Sequence, residues 1–365
     1  MPPYETCSVE IFEKVGEFVP SPIYMAKPKL HQEHLVPAEL LAQCRLRWDQ
    51  KRFVLPPIRS YLLKNVYVSE QGLVFTEDGK VIVQSITNHG QEEIVRAAEK
   101  LRLLATTQES VQAHERGILC KKRGAENYGH WLVEMLPKAF LAQRQLALGE
   151  AWPAIVHSSS EKMNAVVRES LEFINYPTNN IIFTNSEPCH FKELILIDGL
   201  TVHSVFMSTP VFECMETISG SVPAGSLESL YISRRPSTNR CFENEAEIQA
   251  LFTNYGYREV VCANLSFSEQ VSAFKAARRI AGPMGAAFTN AIFCQPDTSW
   301  LLFMPATAHE YFFWQIAEGK KINYHEIRTQ EVGPNRGPLP WDRDLYIEPG
   351  HLRAMLDRLV ECDNL

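Results

Sequence analysis

His130, Glu134 and Lys138 recur every four residues in the stretch ENYGHWLVEMLPKAF (126–140), so a helix there places them on one face. Trp131, Leu132, Met135, Leu136 and Phe140 make the rest of that helix apolar. A polar stripe on an apolar helix needs a partner or a cavity. An imidazole beside a carboxylate can act as general base with its orienting group. The same pair is equally a core histidine satisfied by Glu134. The spacing is not that of a helical zinc site and no third ligand is evident, so no metal is expected. Pro137 inside the helix predicts a kink at this point.

Three loops in the second half carry further candidates, each where an apolar strand gives way to a helix. In YISRRPSTNR, Arg234 and Arg235 stand at the strand end, with Arg240 further along. Guanidinium groups there can hold a diphosphate through charge-assisted, bidentate hydrogen bonds. They can equally form a solvated turn or pair with Glu243 and Glu245. In CANLSFSEQ, Ser266 and Glu269 have the spacing of a capping box, which accounts for both side chains and aims a helix N-terminus. In RIAGPMGAAFTNAIF (279–293), Gly282, Gly285, Ala286 and Ala287 leave almost no side chain at a strand-to-helix turn. Such a turn can seat a phosphate on free backbone N–H groups at the helix start. Small residues also serve close packing of strand on helix. The stretch is neither a dinucleotide fingerprint nor a Walker A loop, and no following ribose-binding acid marks an oxidoreductase.

The elements that must position these residues fall into two halves. Residues 1–60 are rich in proline, with one helix near 37–47. From 61 to 120 the texture is strand-like, as in NVYVSEQGLVFTEDGKVIVQS, and predicts a small antiparallel element. PAIVHSSS, NIIFTN and ELILID read as strands, with the helix EKMNAVVRESLEFI between the first two. The Ser/Pro/Gly-rich stretch 219–229 reads as a linker. Beyond it short apolar strands alternate with amphipathic helices from LYISRR to INYHEI, the pattern of a doubly wound parallel sheet. The last helix follows a proline-rich crossing (334–341), with Asp342-Arg343-Asp344 directly after that stretch. The expected fold class is α/β, with two domains.

The totals exclude several classes. At 365 residues with 45% apolar and 22% charged side chains, the chain is an ordinary globular protein long enough for two cores. A net charge of −7 argues against a nucleic-acid partner. No stretch approaches the apolar length of a membrane span, and the first residues lack the basic end and apolar run of a signal peptide. A cytoplasmic location is expected. Nine scattered cysteines without a CxxC pair read as reduced thiols.

Taken together, four ordered blocks over about 126–325 resemble the family 61 glycosyltransferases, inverting sugar transferases with bacterial capsule and plant xylan members. The family's N-[YF]-x-H-W block is similar to Asn127-Tyr128-Gly129-His130-Trp131, followed by Leu132, Glu134, Leu136 and Pro137. Its YISR…NE…E block is similar to Tyr231-Ile232-Ser233-Arg234 with Asn244, Glu245 and Glu247. Its LSF-x-EQ…F block resembles Leu265-Ser266-Phe267-Ser268-Glu269-Gln270 with Phe274. Its glycine block, G-x-HGAGLTN-x-xF, resembles the run from Gly282 to Asn290 with Phe293, but Met284 stands for its histidine and Ala287 for its second glycine.

The resemblance implies a GT-B architecture, two Rossmann-like domains facing across a cleft, with an added N-terminal β-rich element. Residues 1–220 would form the acceptor-side domain, the helix 346–365 packing back on it, and 226–345 the nucleotide-sugar domain. It implies a nucleotide-sugar donor, UDP-linked by expectation, a glycan acceptor, and no obligatory metal or other cofactor. His130 would be the catalytic base, with Glu134 orienting it. Donor contacts would come from Arg234, Arg235, Arg240, Asn244, Glu245, Ser266, Phe267, Glu269, Gln270, Gly282, Met284, Gly285, Ala286, Ala287, Thr289 and Asn290. Acceptor contacts would come from Asn127, Tyr128 and Trp131. The second expectation is a degenerate fold that binds a nucleotide or glycan without catalysis, for which the Met284 and Ala287 departures speak.

Overall fold

A computed structural model of the chain describes residues 4–107, 110–146, 152–235, 237 and 239–363, and side chains through 359. The fold is mixed α/β and divides into two compact units, residues 1–21 with 54–218 and residues 22–53 with 219–365. Among the described residues no helix is long and apolar enough to cross a membrane.

The first unit is built on a sheet of nine strands among the described residues. Its central members are β1 (Ile58–Ser69), β2 (Gln112–Leu119), β3 (Ala154–His157), β4 (Ile181–Thr184) and β5 (Cys189–Asp198), in the order β1-β5-β2-β3-β4. From β5 to β4 neighbours run parallel, while β1 is antiparallel to β5. The expected antiparallel element is present, since β1 pairs with Leu73–Thr76 around the turn at Gly72. The strand-like texture read from 61 to 120 is interrupted, however, by a helix over Gln91–Thr107. Its buried Ile94, Ala97, Ala98 and Leu101 follow helical spacing and pack on Leu73, Phe75 and Val81.

The second unit carries β6 (Ser229–Ile232), β7 (Arg258–Val260), β8 (Arg279–Pro283), β9 (Ser299–Pro305) and β10 (Asn323–Val332). All are parallel, in the order β7-β6-β8-β9-β10. This is the doubly wound order 2-1-3-4-5, whose direction of winding reverses between β6 and β8. The alternation of strands and helices expected from the sequence is present. The segment after β8 differs, because Ala286–Phe293 is a 3₁₀ helix rather than an α-helix.

Two segments sit elsewhere than the sequence suggested. Residues 22–53 join the second unit, not the first: Lys29–His31 adds a parallel strand beside β10. Trp314 donates its indole N–H to the Ala26 carbonyl at 2.7 Å, and His31 and His325 share a hydrogen bond at 3.0 Å. The C-terminal helix Pro349–Asp363 also belongs to the second unit. Leu352, Met355 and Leu356 are buried with Tyr231, Phe252 and Leu345 in one core. Burying each such side chain is worth roughly 1.5–3 kcal/mol, which fixes the helix there.

Candidate functional site

In the first unit Asn127 opens the helix that follows β2. Its side-chain oxygen accepts the N–H groups of Gly129 (2.8 Å) and His130 (3.4 Å). Tyr128–His130 is a turn of α-helix, Trp131–Met135 a π-helical turn, and Leu136–Gln145 α-helix again. The expected kink at Pro137 is met by this π turn, because Pro137 has no N–H to donate and starts the following segment. Trp131 is a core residue, 1% exposed, donating to Ser170 Oγ at 2.9 Å. Asn127 is exposed and Tyr128 half-buried.

Glu134, 1% exposed, is the centre of a constellation. Its Oε1 lies 2.6 Å from His130 Nδ1 and 2.9 Å from His203 Nδ1, and its Oε2 meets the Lys122 ammonium. Burial opposes ionisation of this carboxyl. The hydrogen bonds from His130 and His203, with the charges of His130 and Lys122, nevertheless hold it well below the usual carboxylate range. An ionised carboxylate only accepts, so both imidazoles carry their proton on Nδ1. When the His130 ring is neutral this leaves Nε2 as its acceptor, the arrangement of a general base held by an acid. Gly124 packs against that ring, where a Cβ would come within 3.0 Å of His130 Cδ2 and 3.4 Å of Nε2.

Lys138, expected on the same face, makes no hydrogen bond to Glu134; burial pushes its ammonium down, beside Cys120. Lys121 is separate from the cluster. It donates to Thr184 Oγ1 at 3.0 Å, and burial pushes it down to about 8. His203 and Lys122 escaped the sequence reading. A basic pair just past a strand end marks Lys122, but nothing local marks His203, 69 residues from Glu134. His203 also supplies the third ligand whose absence was read from the sequence, since donor atoms of His130, Glu134 and His203 lie within 4.8 Å of one another. The Lys122 ammonium already neutralises the one carboxylate, which leaves this trio poorly charged for a dication.

In the second unit the loops after β6 and β8 meet at the point where the winding reverses, the place where open α/β sheets bind ligands. Arg234 lies across it. Nη1 donates to the Met284 carbonyl (3.0 Å), Nε to the Asn239 carbonyl (3.1 Å), and Nη2 to Ser237 Oγ (2.9 Å) and Asn239 Oδ1 (3.1 Å). Every acceptor is neutral, so the charge has no ion-pair partner among the described residues. Burial and the like charge of Arg240 push Arg234 down to about 10.

The small residues of 282–287 serve this arrangement. A Cβ on Gly285 would lie 1.7 Å from Arg234 Nη1, and one on Gly282 (φ +151°) would lie 2.4 Å from the Ile232 carbonyl oxygen. Arginine and strand therefore occupy the space that the glycines leave, while Ala286 and Ala287 are half-buried at the start of the 3₁₀ helix. Met284, 2% exposed, points into the core, and its N–H bonds the Phe303 carbonyl at 2.9 Å.

The other expected donor residues divide. Arg240 adopts a left-handed backbone (φ +56°) and pairs with buried Asp342 at 3.3 Å, while Arg336 pairs with Asp344 at 2.8 Å. Both acids of Asp342-Arg343-Asp344 thus tie the crossing down. Arg235 is exposed. Buried Glu245 accepts from the Tyr231 and Ser233 hydroxyls (2.9 and 3.4 Å), and burial raises its carboxyl. Asn244 donates to the Ile347 carbonyl at 3.0 Å. The capping box forms as expected, Ser266 Oγ taking the Glu269 N–H and Glu269 the Ser266 N–H. Phe267 is core, and Asn290 donates to Gln270 at 2.8 Å behind the glycine turn, beside the fully buried Thr289.

Residues 128–301 match the model of a family described as Glycosyltransferase 61. Over this stretch the chain is similar to the family 61 glycosyltransferases. No curated protein matches it. The matched region opens on the His130 helix and includes Arg234 and the glycine turn.

Gly285→Ala tests the packing directly. The added methyl must displace the Arg234 guanidinium, an overpacking worth about 1–3 kcal/mol. A fall of several degrees in Tm is expected by calorimetry. An unchanged Tm would show that Arg234 is not seated against residue 285.

Proposed function

We propose that the chain is an inverting, metal-independent glycosyltransferase of GT-B architecture. It moves a hexosyl or pentosyl group from a nucleotide-sugar donor, UDP-linked, to a glycan acceptor in capsule or other surface polysaccharide synthesis in the cytoplasm. His130 Nε2 takes the proton of the acceptor hydroxyl as its oxygen attacks C1 of the donor. The bond from C1 to the phosphate oxygen breaks, and the nucleoside diphosphate leaves with the electron pair. Attack opposite the leaving group inverts the anomeric centre. Glu134 holds His130 in the tautomer this requires and stabilises the imidazolium that forms. Arg234 faces the negative charge that grows on the diphosphate.

The observation that carries this reading is Arg234, a half-buried guanidinium at the winding switch whose partners are all neutral. An unpaired cation there is costly unless an anion completes it. Metal independence is supported by the Lys122 ammonium on Glu134 and by the ion pairs that occupy Asp342 and Asp344. The reaction tests both points: in EDTA, with a UDP-sugar and a glycan acceptor, free nucleotide accumulates with product. Activity lost in EDTA and restored by a divalent ion would contradict the metal-free mechanism.

A second reading, a nucleotide-binding module without turnover, is favoured by Met284, whose buried thioether fills the place of the family's histidine. Tight nucleotide binding with no release from any sugar donor would select it.

A further inference from the structure

His203 approaches Glu134 from a different part of the chain than His130 does. It follows β5 in a short hairpin in which Thr201 pairs with Met207 and Val202 with Phe206. Val205 N–H closes the turn on the Val202 carbonyl at 2.9 Å, beside Ser204 in a left-handed conformation (φ +60°). The His203 ring centre lies 4.6 Å from that of His130, tilted by 52°. A carboxylate oxygen has two lone pairs, and on Oε1 both are taken by imidazole Nδ1–H groups. Lys122 holds the other oxygen. The carboxylate is thereby pinned at three points in a place where water is nearly excluded.

From this geometry we infer that His203 is a positioning residue, acting through Glu134 to keep His130 as the Nδ1–H tautomer with Nε2 turned to its task. The inference rests on the reading of His130 as base. Without His203 one lone pair of a buried, ionised oxygen has no donor, which is costly. Glu134 then turns toward whatever donor it can reach, and His130 loses its fixed partner. Supporting groups of this kind decide whether a reacting residue stays in register.

The test compares His203→Ala with His203→Asn, because the Asn side-chain amide can place an N–H close to where Nδ1–H stands. Two quantities are read: steady-state kcat with donor KM, and the nitrogen-15 shifts of the His130 ring in histidine-labelled protein. His203→Ala lowers kcat about 10–100-fold, the scale of losing an outer hydrogen-bond partner, with donor KM unchanged. The His130 nitrogen signals then move from the Nδ1–H pattern to a tautomer mixture. His203→Asn restores both.

An alanine variant within twofold of wild type and with an unchanged His130 pattern would overturn the inference. So would an asparagine variant that keeps the tautomer but is as slow as alanine, which would place His203 against the substrate instead. Quenching of both histidine signals by equimolar Mn²⁺ at low metal, with a matching gain in kcat, would replace positioning by metal ligation. If the chain transfers no sugar at all, the base assignment fails, but the nitrogen shifts still decide whether His203 sets the tautomer.

Discussion

Alanine at His130 should lower kcat by about two to four orders of magnitude, the range of general-base catalysis, while nucleotide affinity stays within twofold of wild type. The split follows from where the groups sit. His130 lies in the first unit, bonded to Glu134, whereas the groups assigned to the donor diphosphate lie in the second. Loss of the imidazole costs Oε1 one of its two donors, as loss of His203 does, but Lys122 still balances the charge of Glu134 and His203 still donates to it, so the fold should survive. A base acts only as the acceptor oxygen attacks, and its removal belongs in kcat rather than in binding. Steady-state kinetics with calorimetric titration of UDP reads both numbers. Near-normal turnover would remove His130 from the role and direct attention to His203.

Alanine at Arg234 should do the reverse and raise the UDP Kd by roughly 10–150-fold, corresponding to the ~1.5–3 kcal/mol of a charge-assisted hydrogen bond. The guanidinium is already oriented by three residues, so a phosphate that meets its remaining Nη1–H finds the charge in place and little ordering remains to oppose binding. Arg234→Lys should recover little of the loss, since one ammonium cannot hold Met284, Asn239 and a diphosphate in the same plane. The wild-type affinity should also weaken with salt more steeply than that of the variant. Unchanged affinity in Arg234→Ala would move the diphosphate away from the switch point.

Much of this organisation could be read in the residues. The alternation from Leu230 to Ile327 specifies the parallel sheet, because each strand is short and apolar and each crossing helix amphipathic. The His130–Glu134 contact follows from helical spacing alone. The helix at 91–107 is marked by the spacing of Ile94, Ala97, Ala98 and Leu101, but it directly follows an alternating stretch whose period is that of a strand. The placement of residues 22–53 had no local signal. It depends on a three-residue strand, Lys29–His31, pairing with His325–Ile327 far along the chain, and on the His31–His325 contact across 294 residues. His203 was invisible for the same reason.

The glycine turn shows where residue types stop short. Gly282, Gly285 and their alanines fit a phosphate cradle and a packing contact equally well. The structure places the Ile232 carbonyl and the Arg234 guanidinium against them, so the glycines act by seating the arginine. Met284 fits the same picture, since it offers its carbonyl to Arg234 and its side chain to the core.

The most direct test of the account is a proton NMR time course of the wild-type chain with a UDP-sugar and glycan acceptor in EDTA. Equal amounts of UDP and of a new glycoside are expected, with an anomeric configuration opposite to that of the donor. A retained configuration, or donor left intact across a full panel of nucleotide sugars and acceptors, would contradict it.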